Sequence, residues 1–275
     1  MEPALDTSSY VIDGGRSGAA RLAVLARVRA SASEDFVCRA GLRAGDRCLD
    51  LGCGSGELTL RLADLAAPGE VVGIDFDPAV VAVARERAMY AQTPHPPRFL
   101  VADVAALPDG LGQFDLVSAR YLLSHVRDPW AAVQAMWSLC RPGGAVALED
   151  TDVDAMSSDP ACPALERCVE LNHALTRARG LVPRVGPQLV DMLAEVGFDE
   201  IEETVDQPAA RDGDAKRMTE LTLERKRAAL LAEGLLDEAE FDAMLAELRA
   251  FTADPQTLIR APRLHQVRGR RPPST

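Results

Sequence analysis

Between residues 47 and 150 of this 275-residue chain, short apolar runs alternate with stretches of helical period. RCLDLG (47–52) leads into ELTLRLADLA, and VVGID (71–75) into PAVVAVARERAMYA. RFLVAD (98–103) follows, FDLVSA (114–119) leads into PWAAVQAMWSLC, and AVALED (145–150) closes the series. Runs this short that are apolar on both faces suit a parallel sheet covered by helices on both sides, because right-handed crossovers return the chain to the same edge. The order predicts a doubly wound α/β domain. Helix signals agree. Asp77-Pro78 and Asp128-Pro129 each set a capping carboxylate before a proline at the first helical position, and Arg141-Pro142-Gly143-Gly144 ends a helix and turns into the fifth strand.

The flanks are helical. Residues 16–30 carry apolar side chains at 19, 22, 23 and 26, one face of an amphipathic helix, and a second helix over roughly 33–41 ends at Gly41. After Asp150 the alternation lapses into a helix within 160–180, an amphipathic helix over 188–198 and a strand-like alternation over 199–206. Two helices are expected between 215 and 252, Gly234 ending the first and Asp237 with Glu240 opening the second. TLIRAPRLHQVR (257–268) is expected as a last strand, with Pro262 at a bulge or edge. One domain with insertions accommodates all of this, and a hydrophobic content of 47% is enough to build its core.

Charge and cysteine usage exclude several functions. With 30 basic and 42 acidic residues the net charge is -12, which repels a phosphate backbone and argues against a nucleic-acid partner. Residues 191–254 hold 18 acids against 7 bases, a net of -11, which reads as a solvated face or a docking face for a basic partner. Cys38, Cys48, Cys53, Cys140, Cys162 and Cys168 form no C-x-x-C pair and no zinc spacing, so free thiols and no metal are expected. The first residues lack a basic start and apolar run, and no window offers 18 uninterrupted apolar residues. A cytoplasmic protein without a membrane partner is the expectation.

The segment Asp50-Leu51-Gly52-Cys53-Gly54-Ser55-Gly56 lies between the first strand and its helix, where glycines let the backbone turn and bring N–H groups close to a ligand. A dinucleotide fingerprint starting at Gly52 needs glycine at 57, where this chain has Glu57, so pyrophosphate is disfavoured. The pattern D-x-G-x-G-x-G instead resembles the first motif of the class I S-adenosylmethionine-dependent methyltransferases. Further motifs match in order over roughly residues 44–150. Asp75 and Phe76 end the second strand, Ala102-Asp103-Val104 ends the third, Phe114-Asp115-Leu116-Val117 opens the fourth, and Arg141-Pro142-Gly143-Gly144 resembles the family's Pro-Gly-Gly turn.

The resemblance implies a Rossmann-like seven-stranded sheet, mostly parallel with an antiparallel last strand, carrying added N-terminal and C-terminal-half helices. It implies S-adenosylmethionine as cofactor and methyl transfer to a small-molecule acceptor on oxygen, nitrogen or carbon, in bacterial secondary or quinone-like metabolism. Gly52, Cys53 and Gly54 would cradle the cofactor, Asp75 would accept from both ribose hydroxyls, and Phe76, Asp103 and Val104 would meet the adenine. Arg120 would reach the cofactor carboxylate or the acceptor, while Asp50 would shape the loop. In the family's terms, 1–42 are N-terminal lid helices, 43–152 the cofactor core, 153–187 and 211–255 helical substrate-side insertions, and 256–275 the last strand and tail. Tyr10, Tyr121 and His173 are the acceptor-side candidates.

His125, in an H-x-x-D-P turn after the fourth strand, is the candidate base, with support of the loop as its alternative role. The signature of exocyclic-amine methylation is missing after that strand, where the chain reads Ser118-Ala119-Arg120-Tyr121. Two other readings stay open at this point, a non-methylating enzyme that uses the same cofactor for cyclisation, decarboxylation or hydroxylation, and a non-catalytic binding protein. A homodimer is likewise left open.

Overall fold

A computed structural model describes residues 32–91 and 93–274, so Tyr10 and the helix expected over 16–30 lie outside the described residues. Helical residues 32–39 (α1) run to Gly41, which adopts the left-handed φ of 101° that ends the helix. There follow β1 (Cys48–Leu51), α2 (Glu57–Ala66), β2 (Val71–Asp75), α3 (Pro78–Tyr90), β3 (Arg98–Val101), β4 (Phe114–Arg120), α4 (Pro129–Leu139) and β5 (Cys140–Asp152). Asp77 caps α3 by accepting from the Ala79 N–H at 2.8 Å, and Asp128 caps α4 through the Ala131 N–H at 2.9 Å. The second half holds β6 (Ser157–Asp159), α5 (Pro163–Ala178), α6 (Leu189–Val196), β7 (Asp199–Asp206), β8 (Ala209–Ala210), α7 (Gly213–Ala232), α8 (Glu238–Ala253), β9 (Leu258–Arg260) and β10 (Arg263–Arg270).

Seven strands form the main sheet in the order β3-β2-β1-β4-β5-β10-β7, and β10 runs antiparallel to both β5 and β7. The chain winds outward from β1 to β3, then returns and winds the other way through β4 and β5, which opens a crevice at the carboxyl ends of β1 and β4. Both faces of the sheet are apolar, as the runs required. Leu49 and Leu51 pack with Met136, Leu189 and Leu193 beneath α4 and α6, while Cys48, Leu116 and Ala147 pack with Phe36, Leu58 and Leu62 beneath α1 and α2. A separate core of Leu165, Leu175, Leu223, Phe241 and Leu248 joins α5, α7 and α8.

The C-terminal strand differs from its expectation. Residues 257–268 divide into β9 and β10 at Ala261-Pro262. β10 lies inside the sheet, where a proline would forfeit a ladder hydrogen bond, so Pro262 forms the corner ahead of it rather than a bulge within it. β9 belongs to a second antiparallel sheet, β6-β9-β8, which sequence reading did not foresee. β5 begins at Cys140, ahead of the Pro-Gly-Gly turn, with a register shift between Phe114 and Leu116 of β4. Among the described residues no helix is long and apolar enough to cross a membrane.

Candidate active site

The glycine loop is folded onto the second strand by the Gly52 and Cys53 N–H groups, which donate to the Ile74 carbonyl at 2.8 and 3.0 Å. Glycine is required at its turns. Gly52 has φ 70°, and a Cβ there would lie 3.0 Å from Leu122 Cδ1; Gly56 has φ 84°, and its Cβ would lie 2.9 Å from Phe99 Cζ. Asp50 is 1% exposed and accepts from Thr59 Oγ1 at 2.6 Å and Ser118 Oγ at 3.2 Å, tying β1 to α2 and β4. Burial pushes its carboxyl up to about 6. Asp75 accepts from the Gly54 N–H at 2.9 Å through one oxygen and from the Asp77 N–H at 3.0 Å through the other. Burial raises this carboxyl too. The Phe76 N–H bonds it as well, so backbone donors fix the carboxylate at the cavity wall, where it retains capacity to accept from a ligand hydroxyl.

A cavity of about 290 Å³ opens in front of this loop. Gly52, Cys53, Gly54, Asp75, Arg120, Tyr121 and His125 all line it, so the structure gathers seven residues singled out from the sequence. Phe76, Asp103, Val104 and His173 stand outside its lining. Asp103 caps the turn Val104–Ala106 through the Ala105 N–H at 2.9 Å. His173 pairs through Nε2 with Asp154, which in turn meets Arg184, a cavity residue, at 2.9 Å.

The β4 end of the cavity is braced from the neighbouring strand. Tyr121 adopts φ 56°, a left-handed conformation costly for a residue with a side chain, and its N–H donates to the Glu149 carbonyl at 2.7 Å. Arg120 donates to Ser33 Oγ at 3.4 Å; Ser33 Oγ and Gln266 Nε2 donate to the buried Glu149 carboxylate at 3.1 and 2.9 Å. Asp150, 1% exposed and pushed up to about 6 by burial, accepts from the Ser124 N–H at 3.0 Å and the Thr151 N–H at 2.8 Å. Ser124 sits in the tight turn Leu123–His125, so Asp150 holds the backbone that presents His125 to the cavity.

Sequence reading did not pick out this role of Asp150, nor the far wall formed by Asn172 of α5, Met218 and Lys226 of α7, and Ile259 of β9. The wall residues' only signal was position outside the recognisable core. Among the described residues, no group of three or more His, Cys, Asp or Glu side chains has the geometry to hold a metal ion.

A glycine cradle that lacks the pyrophosphate spacing, set at the crevice of a sheet whose β10 runs against its neighbours, is the arrangement that the resemblance to the S-adenosylmethionine-dependent methyltransferases implies. The chain belongs to the class I S-adenosylmethionine-dependent methyltransferases, and S-adenosylmethionine is its cofactor. The family model described as a methyltransferase domain matches residues 48–144. The 27-O-demethylrifamycin SV methyltransferase of Amycolatopsis mediterranei is 32% identical over 222 residues, covering 78% of this chain and 75% of that protein. A 2-phytyl-1,4-naphtoquinone methyltransferase of Trichormus variabilis is 38% identical over 112 residues, 40% of this chain and 48% of that protein. Among solved structures, the YcgJ protein of Bacillus subtilis has a TM-score of 0.57 at 19% identity, covering 86% of this chain and 97% of that one. The [4+2]-cyclase SpnF has a TM-score of 0.51 at 22% identity, covering 88% and 81%, and both likenesses are ones of fold.

Proposed function

We propose that this enzyme methylates a hydroxyl of an apolar, quinone-like or polyketide-like small molecule. The observation that carries the reading is one cavity running from the glycine loop and Asp75, past His125, to a largely apolar wall contributed by the added helices. The rifamycin and naphtoquinone relatives support this acceptor class. Bound S-adenosylmethionine supplies an electrophilic methyl group on a sulfonium whose leaving thioether is neutral, so the protein's work is to orient, to exclude water and to handle one proton.

In this reading Gly52, Cys53 and Gly54 receive the cofactor's amino-acid portion together with Arg120. Asp75 takes the ribose hydroxyls. Phe76, Asp103 and Val104 form the adenine side, supported by the pairing of β2 with β3 and by the Ala102 N–H donating to the Asp75 carbonyl at 3.0 Å. Tyr121 borders the acceptor, and His125 takes the hydroxyl proton. His173 acts through Asp154 and Arg184 as a support of the acceptor wall. The net charge of -12 supports a small acceptor rather than a nucleic acid. The six free thiols support a reducing cytoplasm.

Calorimetric titration with S-adenosylhomocysteine, NAD serving as control, tests the reading. The expected result is micromolar binding of S-adenosylhomocysteine alone, weakened by about 2–3 kcal/mol in Asp75→Ala through loss of charged hydrogen bonds. No binding by folded, cofactor-free protein overturns it. With 1,4-dihydroxynaphthalene as acceptor, His125→Ala is expected to keep cofactor affinity while kcat falls about 10²-fold or more and its pH dependence flattens. A kcat equal to wild type at every pH removes His125 from the chemistry. Acceptor consumption without matching S-adenosylhomocysteine release would mark a non-methylating reaction.

A further inference from the structure

The inward face of α5 follows helical spacing through Leu165, Cys168, Leu171, Asn172, Leu175 and Thr176. Asn172 is the amide in this mostly apolar stripe, and it lines the cavity with Cys168, Leu171 and Thr176. Met218, Leu223 and Leu230 of α7 and Ile259 of β9 add apolar surface to the same wall, and Thr219 of α7 adds a hydroxyl. Several of the wall's polar groups are spent within the protein. Thr176 Oγ1 donates to the Asn172 carbonyl and Thr222 Oγ1 to the Met218 carbonyl, each at 2.7 Å, while Arg184 is held by Asp152 and Asp154 at 3.4 and 2.9 Å. The Asn172 amide is engaged at one end. Lys226 Nζ donates to its Oδ1, and because an ammonium only donates, this contact turns the oxygen toward Lys226 and the NH₂ away from it. Among the described residues that NH₂ has no hydrogen-bond acceptor, and Asn172 lies half-buried at the cavity surface.

We propose that the Asn172 NH₂ recognises a neutral carbonyl on the methyl acceptor, which is then an apolar molecule carrying a ketone or quinone oxygen away from the hydroxyl it presents to His125. The inference rests on reading the cavity as the acceptor chamber. An apolar acceptor that fills the cavity strips water from this NH₂, and a donor left there without a partner weakens binding. The ligand must therefore bring an acceptor atom of its own. A carbonyl oxygen does so with no hydrogen attached, whereas a hydroxyl would bring a further donor to be paired among apolar side chains. Lys226 contributes by fixing the orientation of the amide, a role independent of its other contacts. A site built around such a donor discriminates sharply against an analogue that lacks the matching group.

Protein saturated with S-adenosylhomocysteine is titrated with 7-hydroxy-1-tetralone and with 5,6,7,8-tetrahydro-2-naphthol, which has a methylene in place of the carbonyl. The wild type is expected to bind the ketone about fivefold or more tightly than its analogue. Asn172→Asp keeps the size of the side chain and an oxygen for Lys226 but replaces the donor by an acceptor, so the preference is expected to vanish or invert while S-adenosylhomocysteine affinity is kept. A role for Asn172 only as a structural partner of Lys226 would survive that change with the preference intact. Equal affinities in the wild type, no binding of the ketone, or a preference that persists in Asn172→Asp overturns the proposal. A preference lost in Thr219→Val but kept in Asn172→Asp overturns it in favour of the threonine hydroxyl. The wild-type comparison stands even where a variant does not fold. The preceding S-adenosylhomocysteine titration keeps the two readings apart, since its failure overturns the methyltransferase site, whereas normal cofactor affinity without a ketone preference overturns the role of Asn172 alone.

Discussion

Asp50 and Asp150 brace the site at a cost that depends on pH. Burial pushes each carboxyl from 3.8 up to about 6. A carboxyl whose folded pKa lies above its unfolded value favours the protonated fold, so its contribution is complete below about pH 4 and is lost as pH rises through 6. At about 1.4 kcal/mol per pKa unit, each ionisation costs the fold about 3 kcal/mol by neutral pH. Glu70, held low by Arg47 and Arg98, works in the opposite sense, its contribution disappearing as pH falls below 4.5. Asp50→Asn separates these effects, because the partners Thr59 and Ser118 are hydroxyls that can exchange donor and acceptor roles. Urea unfolding of this variant is expected to show a shallower fall in stability between pH 4 and 7 than the wild type, by up to about 3 kcal/mol. A slope as steep as the wild type's would show that Asp50 does not titrate in the folded state.

At the scale of elements, the glycine loop and the helix caps are the parts most sensitive to single atoms. Gly56→Ala adds a Cβ 2.9 Å from Phe99 Cζ at φ 84°, so a loss of about 2 kcal/mol or more is expected in thermal unfolding. Asp237 accepts from the Glu240 N–H at 2.8 Å while Glu240 accepts from the Asp237 N–H at 2.9 Å, a reciprocal cap whose removal by Asp237→Ala should cost about 1 kcal/mol. Such devices are legible in sequence because they are local. β2 and β7 occupy the residues expected of them, since each run carries its own pattern. β6, β8 and β9, of three, two and three residues, are too short for any period, and they exist only because they pair with one another. The same limit applied to the site. Asp75 is legible through the family motif at the end of the second strand, whereas the hold of Asp150 on Ser124 and of Glu149 on Ser33 joins residues far apart in the chain.

At the scale of the whole molecule, the apolar interior is divided between the sheet, which carries the cofactor loop, and the cluster of α5, α7 and α8, which carries the far wall of the cavity. The division predicts separable damage. Phe241, 1% exposed in the second cluster, when replaced by alanine should cost about 3–5 kcal/mol in that cluster and speed amide exchange in α7. S-adenosylhomocysteine affinity should change little, while affinity for 1,4-dihydroxynaphthalene falls; equal loss of both would mean that the two clusters respond as one. The position of β10 carries a further consequence, one for synthesis. It is the last strand of the sheet to be made, yet its place is between β5 and β7. A growing chain therefore leaves the ribosome with a slot in its sheet, and the edges of β5 and β7 wait unpaired until residues 263–270 arrive. A stalled nascent chain ending at residue 257 is expected to remain protease-sensitive around β7, and one extended by a linker that frees residue 270 to become resistant.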